Sequence, residues 1–283
     1  MSTARTLLCT RSIIKNLRQF SSNNYKCLDL SVNDDNNVTT VTMKRPPVNG
    51  LNLELLTELS DVLTDLKKNK SPGMILTSYS DKVFTAGLDI MEMHKPDPER
   101  FKQFWCALQD VWMKLYGSPF PTAAAINGHS PAGGCLLSMC CEYRVMVKNF
   151  NIGLNETQLG IVAPIWFIKT MLNTISIRNT ELALTTGRLF KTHEALEIGL
   201  IDEMATDKAD ALKKANDFFK RFEMIPPIAR VYTKDSLRGS DIEDLKKNRE
   251  KDVQTTLSLI TQPKVQQGLE FYLALLKNKK ESS

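Results

Sequence analysis

Phe120-Pro-Thr-Ala-Ala-Ala-Ile126-Asn-Gly-His-Ser130-Pro-Ala-Gly-Gly134-Cys-Leu-Leu-Ser-Met-Cys140-Cys-Glu-Tyr143-Arg-Val-Met-Val147 carries the fold in miniature. Phe120 to Ile126 is a short, almost wholly apolar run, the pattern of a strand covered on both faces. Pro131-Ala-Gly-Gly134 then opens a helix that runs through Cys141, and Tyr143 to Val147 is a second strand. Strand, small-residue loop, helix and returning strand make a crossover unit, which parallel pairing requires. The class is therefore α/β.

Outward from that unit the same alternation continues. Cys27 to Val32 and Val38 to Met43 flank the turn-rich Asn33-Asp-Asp-Asn-Asn37, a hairpin signal. After the loop Lys44 to Gly50, the segment Leu53 to Lys67 places Leu55, Leu56, Leu59, Val62, Leu63 and Leu66 on one helical face. Met74 to Ser78 reads as a buried strand, Phe84-Thr-Ala-Gly-Leu-Asp-Ile90 as a loop running into a helix, and Asp97 to Tyr116 as a long amphipathic helix. Beyond Pro164 the pattern is helical: Pro164 to Thr174, Thr180 to Thr186, Thr192 to Ile198 and Lys208 to Phe222. Ile225-Pro-Pro227 interrupts it, and two further helices, Ile242 to Ile260 and Pro263 to Lys277, are expected after the break. The chain divides into a leader, residues 1–24, an α/β core, 25–224, and a C-terminal helical region, 225–283.

Composition limits the function classes. With 42% hydrophobic and 24% charged residues the 283-residue chain is of ordinary globular type, and no apolar run approaches membrane-spanning length. Residues 1–24 hold Arg5, Arg11, Lys15 and Arg18 and no acid, so the net charge of +5 falls by four, to +1, without them. A near-neutral body offers no electrostatic footprint for nucleic acid. The basic, Ser-rich and acid-free leader has the composition of a mitochondrial transit peptide, with Arg18-Gln-Phe-Ser-Ser22 like a processing site, and so predicts the matrix. Cys27, Cys106, Cys135, Cys140 and Cys141 lie in apolar segments without metal-ligand spacing, as free thiols do in a reducing compartment. The three histidines are far apart, and there is no nucleophile elbow, phosphate loop or dinucleotide fingerprint.

One carboxylate stands out. Glu156 interrupts Asn151-Ile-Gly-Leu-Asn-Glu-Thr-Gln-Leu-Gly-Ile-Val-Ala-Pro164, an otherwise apolar neighbourhood. Either it is buried, with its ionised form disfavoured and its pKa raised into the range of a proton carrier, or it points from a loop into water. Upstream, Ala86-Gly87-Leu88 and Ala132-Gly133-Gly134 each place small residues where a strand feeds a helix. Such loops are either plain tight turns or backbone cradles whose unpartnered amides receive an anion. Asn155 either orients Glu156 or a substrate or caps a turn, Asp89 reads as a helix cap, and His129 as structural.

In order and spacing, Phe84 to Ile90, Ala125-Ile-Asn-Gly-His-Ser-Pro-Ala-Gly-Gly-Cys135 and Leu154-Asn-Glu-Thr-Gln-Leu-Gly160 resemble the signatures of the crotonase (enoyl-CoA hydratase/isomerase) superfamily. Pro47-Val-Asn49 and Gly153-Leu-Asn-Glu-Thr-Gln-Leu-Gly160 bring the chain nearest to its mitochondrial isomerase branch. The resemblance spans residue 25 to the C-terminus. It implies a crotonase fold of repeated ββα units with C-terminal helices that close over the ligand or pack on a neighbour, and a homotrimer. It further implies an acyl-CoA thioester as substrate, coenzyme A being part of that substrate and no separate cofactor or metal being needed. The thioester oxygen would sit on the amides of Leu88 and Gly133, the segment Ala86, Gly87, Leu88, Asp89 and Ile90 would line the coenzyme A site, and Glu156 would be the acid/base. Asn155 would touch the substrate. Hydratases of the superfamily carry a second glutamate where this chain has Leu136, so the implied reaction is 3-enoyl to 2-trans-enoyl isomerisation. The alternatives are a hydratase, or a non-catalytic acyl-CoA-binding or RNA-associated member. Ile161, Val162, Ile165, Trp166 and Phe167 are expected to wall off the base from water, and Lys44, Arg45 and the basic C-terminal tail are candidates for the coenzyme A phosphates.

Overall fold

Strands β1 (Leu28–Val32) and β2 (Thr39–Met43) form the expected antiparallel hairpin, Leu28 facing Met43 and Val32 facing Thr39. They begin a computed structural model that describes residues 25–281, with side chains as far as residue 275; the leader and its mitochondrial address lie outside the described residues. Helix α1 (Leu53–Lys68) starts where the Asn52 side chain accepts the Leu55 N–H at 3.1 Å, and it buries the apolar face its spacing predicts. β3 (Met74–Ser78) pairs parallel with β2. Helix α2 (Pro98–Tyr116) is capped by Asp97, whose Oδ1 accepts the Arg100 N–H at 2.8 Å, with Pro98 in the first turn. Phe101, Phe104, Trp105, Leu108, Val111 and Trp112 on α2 are buried; each is worth about 1.5–3 kcal/mol in apolar transfer.

The opening stretch then resolves into more pieces than its periodicity shows. β4 (Thr122–Ile126) lies in the main sheet, β5 (Ser130–Pro131) leaves it, α3 (Gly133–Cys140) follows, and β6 (Tyr143–Val147) returns to pair with β4. The move is repeated by β7 (Asn151–Gly153), which joins β5 outside the main sheet before helix α4 (Ile165–Leu172). After α5 (Ile177–Thr186) come β8 (Phe190–Lys191), α6 (Thr192–Glu197), β9 (Glu203–Ala205) and α7 (Lys208–Asp217), then α8 (Pro227–Ile260) and α9 (Pro263–Glu281). The large sheet has the order β1-β2-β3-β4-β6-β9 and the small one β5-β7-β8. Repeated ββα units are the result: β1-β2-α1 keeps both strands in the large sheet, whereas β4-β5-α3 and β6-β7-α4 each have one strand in either sheet.

Alternation along the central strands divides the core in two. Met74, Leu76, Ala124, Ile126 and Met146 face the large cluster that includes α1 and α2. Ile75, Ala123, Ala125, Val145 and Val147 face the cluster formed with Ala211, Ala215, Phe218 and Phe219 of α7 and the 3-10 turn after it. Both faces are covered, which is why β3, β4 and β6 are buried throughout.

One helix departs from expectation. α8 begins at Pro227, fifteen residues before the predicted start at Ile242. Its first turns carry cations where an apolar stripe was sought: Arg230 donates to the Pro119 carbonyl, Lys234 to the Ser118 carbonyl, and Arg238 to those of Tyr116 and Cys140. These residues, at i, i+4 and i+8, cover the C-terminal ends of α2 and α3, where carbonyls lack helical partners. Arg230 also pairs with Glu142. Burial pulls the Lys234 ammonium down to about 8, with Glu142 opposing it. Further along, Ile242, Leu245, Val253 and Ile260 of α8 and Leu269 of α9 join the large core cluster.

Candidate active site

The small sheet is what assembles the site. In the β5–β7 register Ser130 lies against Ile152 and Pro131 against Gly153, and the Ala132 N–H donates to the Gly153 carbonyl at 2.8 Å. β5 therefore delivers Gly133, the first residue of α3, beside the segment that β7 leads into at Glu156. Two isolated bridges, Val83 with His129 and Leu51 with Leu88, bring the Phe84–Ile90 loop to the same place.

Backbone geometry frees two amides there. At the Leu51–Leu88 bridge the Leu51 N–H donates to the Gly87 carbonyl and the Asp89 N–H to the Leu51 carbonyl, so the bridge leaves the Leu88 N–H to point away from it. Gly133 opens α3, and its N–H has no partner within the helix. The loops are in contact: a Cβ placed on Gly133 would lie 3.4 Å from the Leu88 nitrogen, and one on Gly87 would lie 3.3 Å from the Gly133 nitrogen. Gly87 has φ +88, and Ala132 holds the N-cap of α3 at φ 49, a region that costs an alanine of order 1–3 kcal/mol and persists only where surroundings enforce it. The loop before Leu88 corrects the sequence reading. Ala86 to Ile90 does not enter an α-helix but a single 3-10 turn, Ile90–Glu92, so the Leu88 amide is exposed by strand-like pairing rather than by a helix N-terminus.

The Phe84–Ile90 loop hangs from buried polar side chains. Asn49, at φ 50, donates to Ser78 Oγ at 2.8 Å and to the Phe84 carbonyl at 3.0 Å, while its Oδ1 accepts the Arg45 N–H. Thr85 Oγ1 donates to the Asn49 carbonyl and accepts the Gly87 N–H. The expected outcome of Gly87→Ala is a folded protein whose turnover of a thioester falls by about 100-fold, because the new methyl would meet Ala132 Cβ at 2.9 Å and force the amides apart. Comparison of kcat with the melting temperature checks this, and unchanged kcat would sink it.

Glu156 begins a 3-10 turn, Glu156–Leu159, closed by Gly160 at φ 72. It is 7% exposed, and neither carboxylate oxygen has a hydrogen-bond partner. Burial pushes its carboxyl up from 4.5 to about 7; its own N–H, nearby but without hydrogen-bonding geometry, opposes this. The fully buried Cys135 thiol is held protonated by burial first and by the Glu156 charge second. Asn155 does not cap the turn, and its Oδ1 is buried without a partner. Asp89 caps the 3-10 turn through the Met91 N–H and pairs with Arg45 at 2.9 Å.

These residues share a cavity of about 450 Å³. Its walls include Ala86, Leu88, Asp89, Ile90, Ala132, Asn155 and Glu156; Gly87 and Gly133 do not line it themselves but pack directly against Ala132 and Leu88, which do. Among the described lining residues the carboxylates are Asp89, engaged with Arg45, and Glu156. The expected apolar wall is corrected in part: Ile161, Val162 and Phe167 line this cavity, whereas Ile165 and Trp166 line a neighbouring one. Trp105, Met93, Ile260, Tyr272 and Leu273 complete the wall, and no local signal marked them. Arg45 reaches the rim, while Lys44 pairs with Asp29. His129 accepts the Asn151 N–H at Nδ1, rests edge-on against Phe150 and is kept neutral by burial, consistent with a structural residue.

Residues 33–281 match the profile of the Enoyl-CoA hydratase/isomerase family. The chain is 40% identical to rat (Rattus norvegicus) mitochondrial enoyl-CoA delta isomerase 1 over 98% of its length and 96% of the relative's. Identity to the mouse (Mus musculus) protein of that name is 43% over 86% and 85%. The crystal structure of human mitochondrial delta3-delta2-enoyl-CoA isomerase superposes with a TM-score of 0.87 at 40% identity, covering 90% of this chain and all of that one.

Proposed function

The chain belongs to the enoyl-CoA hydratase/isomerase family, and from that premise we propose that it moves the double bond of a 3-enoyl-CoA to the 2-trans position in unsaturated fatty-acid oxidation. The observation that carries the reading is Glu156, the one carboxylate among the described lining residues of the cavity without a partner, buried close to the loops whose geometry leaves the Leu88 and Gly133 amides unpaired. In a 3-enoyl thioester both the carbonyl and the double bond acidify the C2 proton. Glu156 removes it, and negative charge spreads to the thioester oxygen. The Leu88 and Gly133 N–H groups bond that oxygen more strongly as it gains charge, which lowers the barrier rather than merely tightening binding. Protonated Glu156 then returns the proton to C4. C2 and C4 flank one carbon, so one carboxylate serves both.

Ala86 to Ile90 and Asn155 bind the thioester and its coenzyme A portion in this scheme, and Arg45 stands nearest the phosphates. Coenzyme A arrives with the substrate, and the proton shuttle requires no further cofactor. Leu136, buried on α3 where hydratases of the family bear a glutamate, supports isomerisation over hydration. The test is incubation with 3-trans-hexenoyl-CoA deuterated at C2. The expected product is 2-trans-hexenoyl-CoA with part of the label at C4; 3-hydroxyhexanoyl-CoA as the main product would overturn the reading.

The protein acts in mitochondria, as the names of its relatives support, and in the matrix, to which residues 1–24 deliver it. Residues 25–224 form the catalytic core, and 225–283 cover the ligand and a neighbouring subunit. Exposed Met224, Ile228 and Tyr232 offer an apolar surface to a neighbouring copy, and the assembly proposed is the homotrimer that the family resemblance implies. Light scattering on the processed chain is expected to give the mass of three copies, against which a monomer mass would count.

A further inference from the structure

One apolar wall of the cavity is a side chain that is itself held from behind. Trp105 lines the cavity but is only 2% exposed, and its ring stacks on Phe101 at 5.7 Å. Its Nε1–H donates to Asp252 Oδ2 at 2.7 Å across from α8. The same carboxylate accepts from Gln109 Nε2 at 2.8 Å and from Trp166 Nε1 at 3.2 Å. Trp166 meets Trp105 edge-on at 6.1 Å and lines the neighbouring cavity, about 520 Å³, which shares Val162 and Pro164 with the first. An indole pair pinned by one aspartate thus separates the two: Trp105 lines the candidate active site, and Trp166 a second cavity whose walls also carry Lys169, Asp241, Asp244 and Lys251.

We infer that Trp105, positioned by Asp252, is the stop that sets acyl chain length, and that shortening it frees the volume of its ring for the tail of a longer acyl chain. The assignment rests on the isomerase reading. With the thioester oxygen on Leu88 and Gly133 and C2 to C4 along Glu156, the polar rim at Arg45 and Asp89 belongs to coenzyme A. The tail must then run toward the buried apolar end, where Trp105, Phe167 and Ile260 stand. A ring held flat by stacking and at its tip by a charge-assisted hydrogen bond does not swing aside cheaply. Asp252 retains Gln109 and Trp166 as donors when Trp105 is shortened, so the change does not strand a buried charge.

The experiment compares kcat/KM for 3-trans-dodecenoyl-CoA and 3-trans-hexenoyl-CoA in the wild type, Trp105→Phe and Trp105→Ala. Since one methylene accommodated or refused is worth about tenfold or more, the dodecenoyl-to-hexenoyl ratio is expected to rise at least about tenfold in Trp105→Ala and a few fold, chiefly through KM, in Trp105→Phe. Trp105→Phe decides the matter if the alanine variant does not fold. A ratio that stays at the wild-type value, both substrates losing activity in proportion, assigns Trp105 a structural role and overturns the inference. Wild-type enzyme that isomerises neither thioester overturns the isomerase reading instead.

Discussion

Glu156→Gln lowers kcat for 3-hexenoyl-CoA on the order of 10⁴-fold while leaving the affinity for saturated hexanoyl-CoA nearly unchanged. The upper end of the general acid–base range applies because one group both takes and returns the proton, and no second unpaired carboxylate lines the described cavity. Glutamine fills the same volume, and Leu88 and Gly133 still present their amides, so binding of a thioester oxygen persists. Stopped-flow turnover set beside calorimetric binding separates the two quantities. Isomerisation within tenfold of wild type would mean that another group moves the proton.

The same substitution stabilises the protein at neutral and alkaline pH. In the folded chain the Glu156 carboxyl titrates at about 7, against 4.5 for the ordinary side chain. The folded state therefore holds this proton more tightly than the unfolded one. Its favourable contribution is complete below pH 4.5 and is lost as the pH climbs through 7. The loss amounts to roughly 3 kcal/mol, the free energy of that difference in proton affinity. Glutamine does not titrate. Urea midpoints from pH 4.5 to 8 are thus expected to show Glu156→Gln gaining on wild type by roughly 3 kcal/mol across the interval, and parallel curves would remove burial as the origin of the raised pKa. Over the same range kcat/KM of the wild type rises, since the ionised form accepts the C2 proton. Activity and stability pull against each other at this one residue, as expected where a buried group is kept for its chemistry.

Much of this arrangement is legible without coordinates, and the parts that are not share a cause. Met74–Ser78 and Tyr143–Val147 match their predicted bounds because strands covered on both faces leave short, mainly apolar runs. α1 and α2 are announced by their apolar faces, and the structure adds Asn52 and Asp97 as their caps. The strands Ser130–Pro131, Asn151–Gly153 and Phe190–Lys191 are too short for any period to register, yet they place Gly133 near Glu156. The early start of α8 is hidden because Arg230, Lys234 and Arg238 dock it through carbonyls instead of an apolar stripe. Among the candidate site residues Glu156, Leu88 and Gly133 are visible from local motif. Trp105, Ile260 and Leu273 are brought to the cavity only by packing of α2, α8 and α9.

The two-residue pairing of β5 with β7 bears on how such a chain can change over generations. Hydrogen-bond register moves in whole residues, so a single insertion between Gly128 and Ala132 shifts the Gly133 amide relative to Glu156 by a full step and has no half-measure. An insertion in the Asn33–Asn37 turn lengthens a surface loop at the far edge of the large sheet and leaves that relation alone. Substitutions tune this site gradually, whereas changes of length near β5 either preserve it or abolish it. Descent through point changes, with loop length frozen around the small sheet, is the history that this geometry permits.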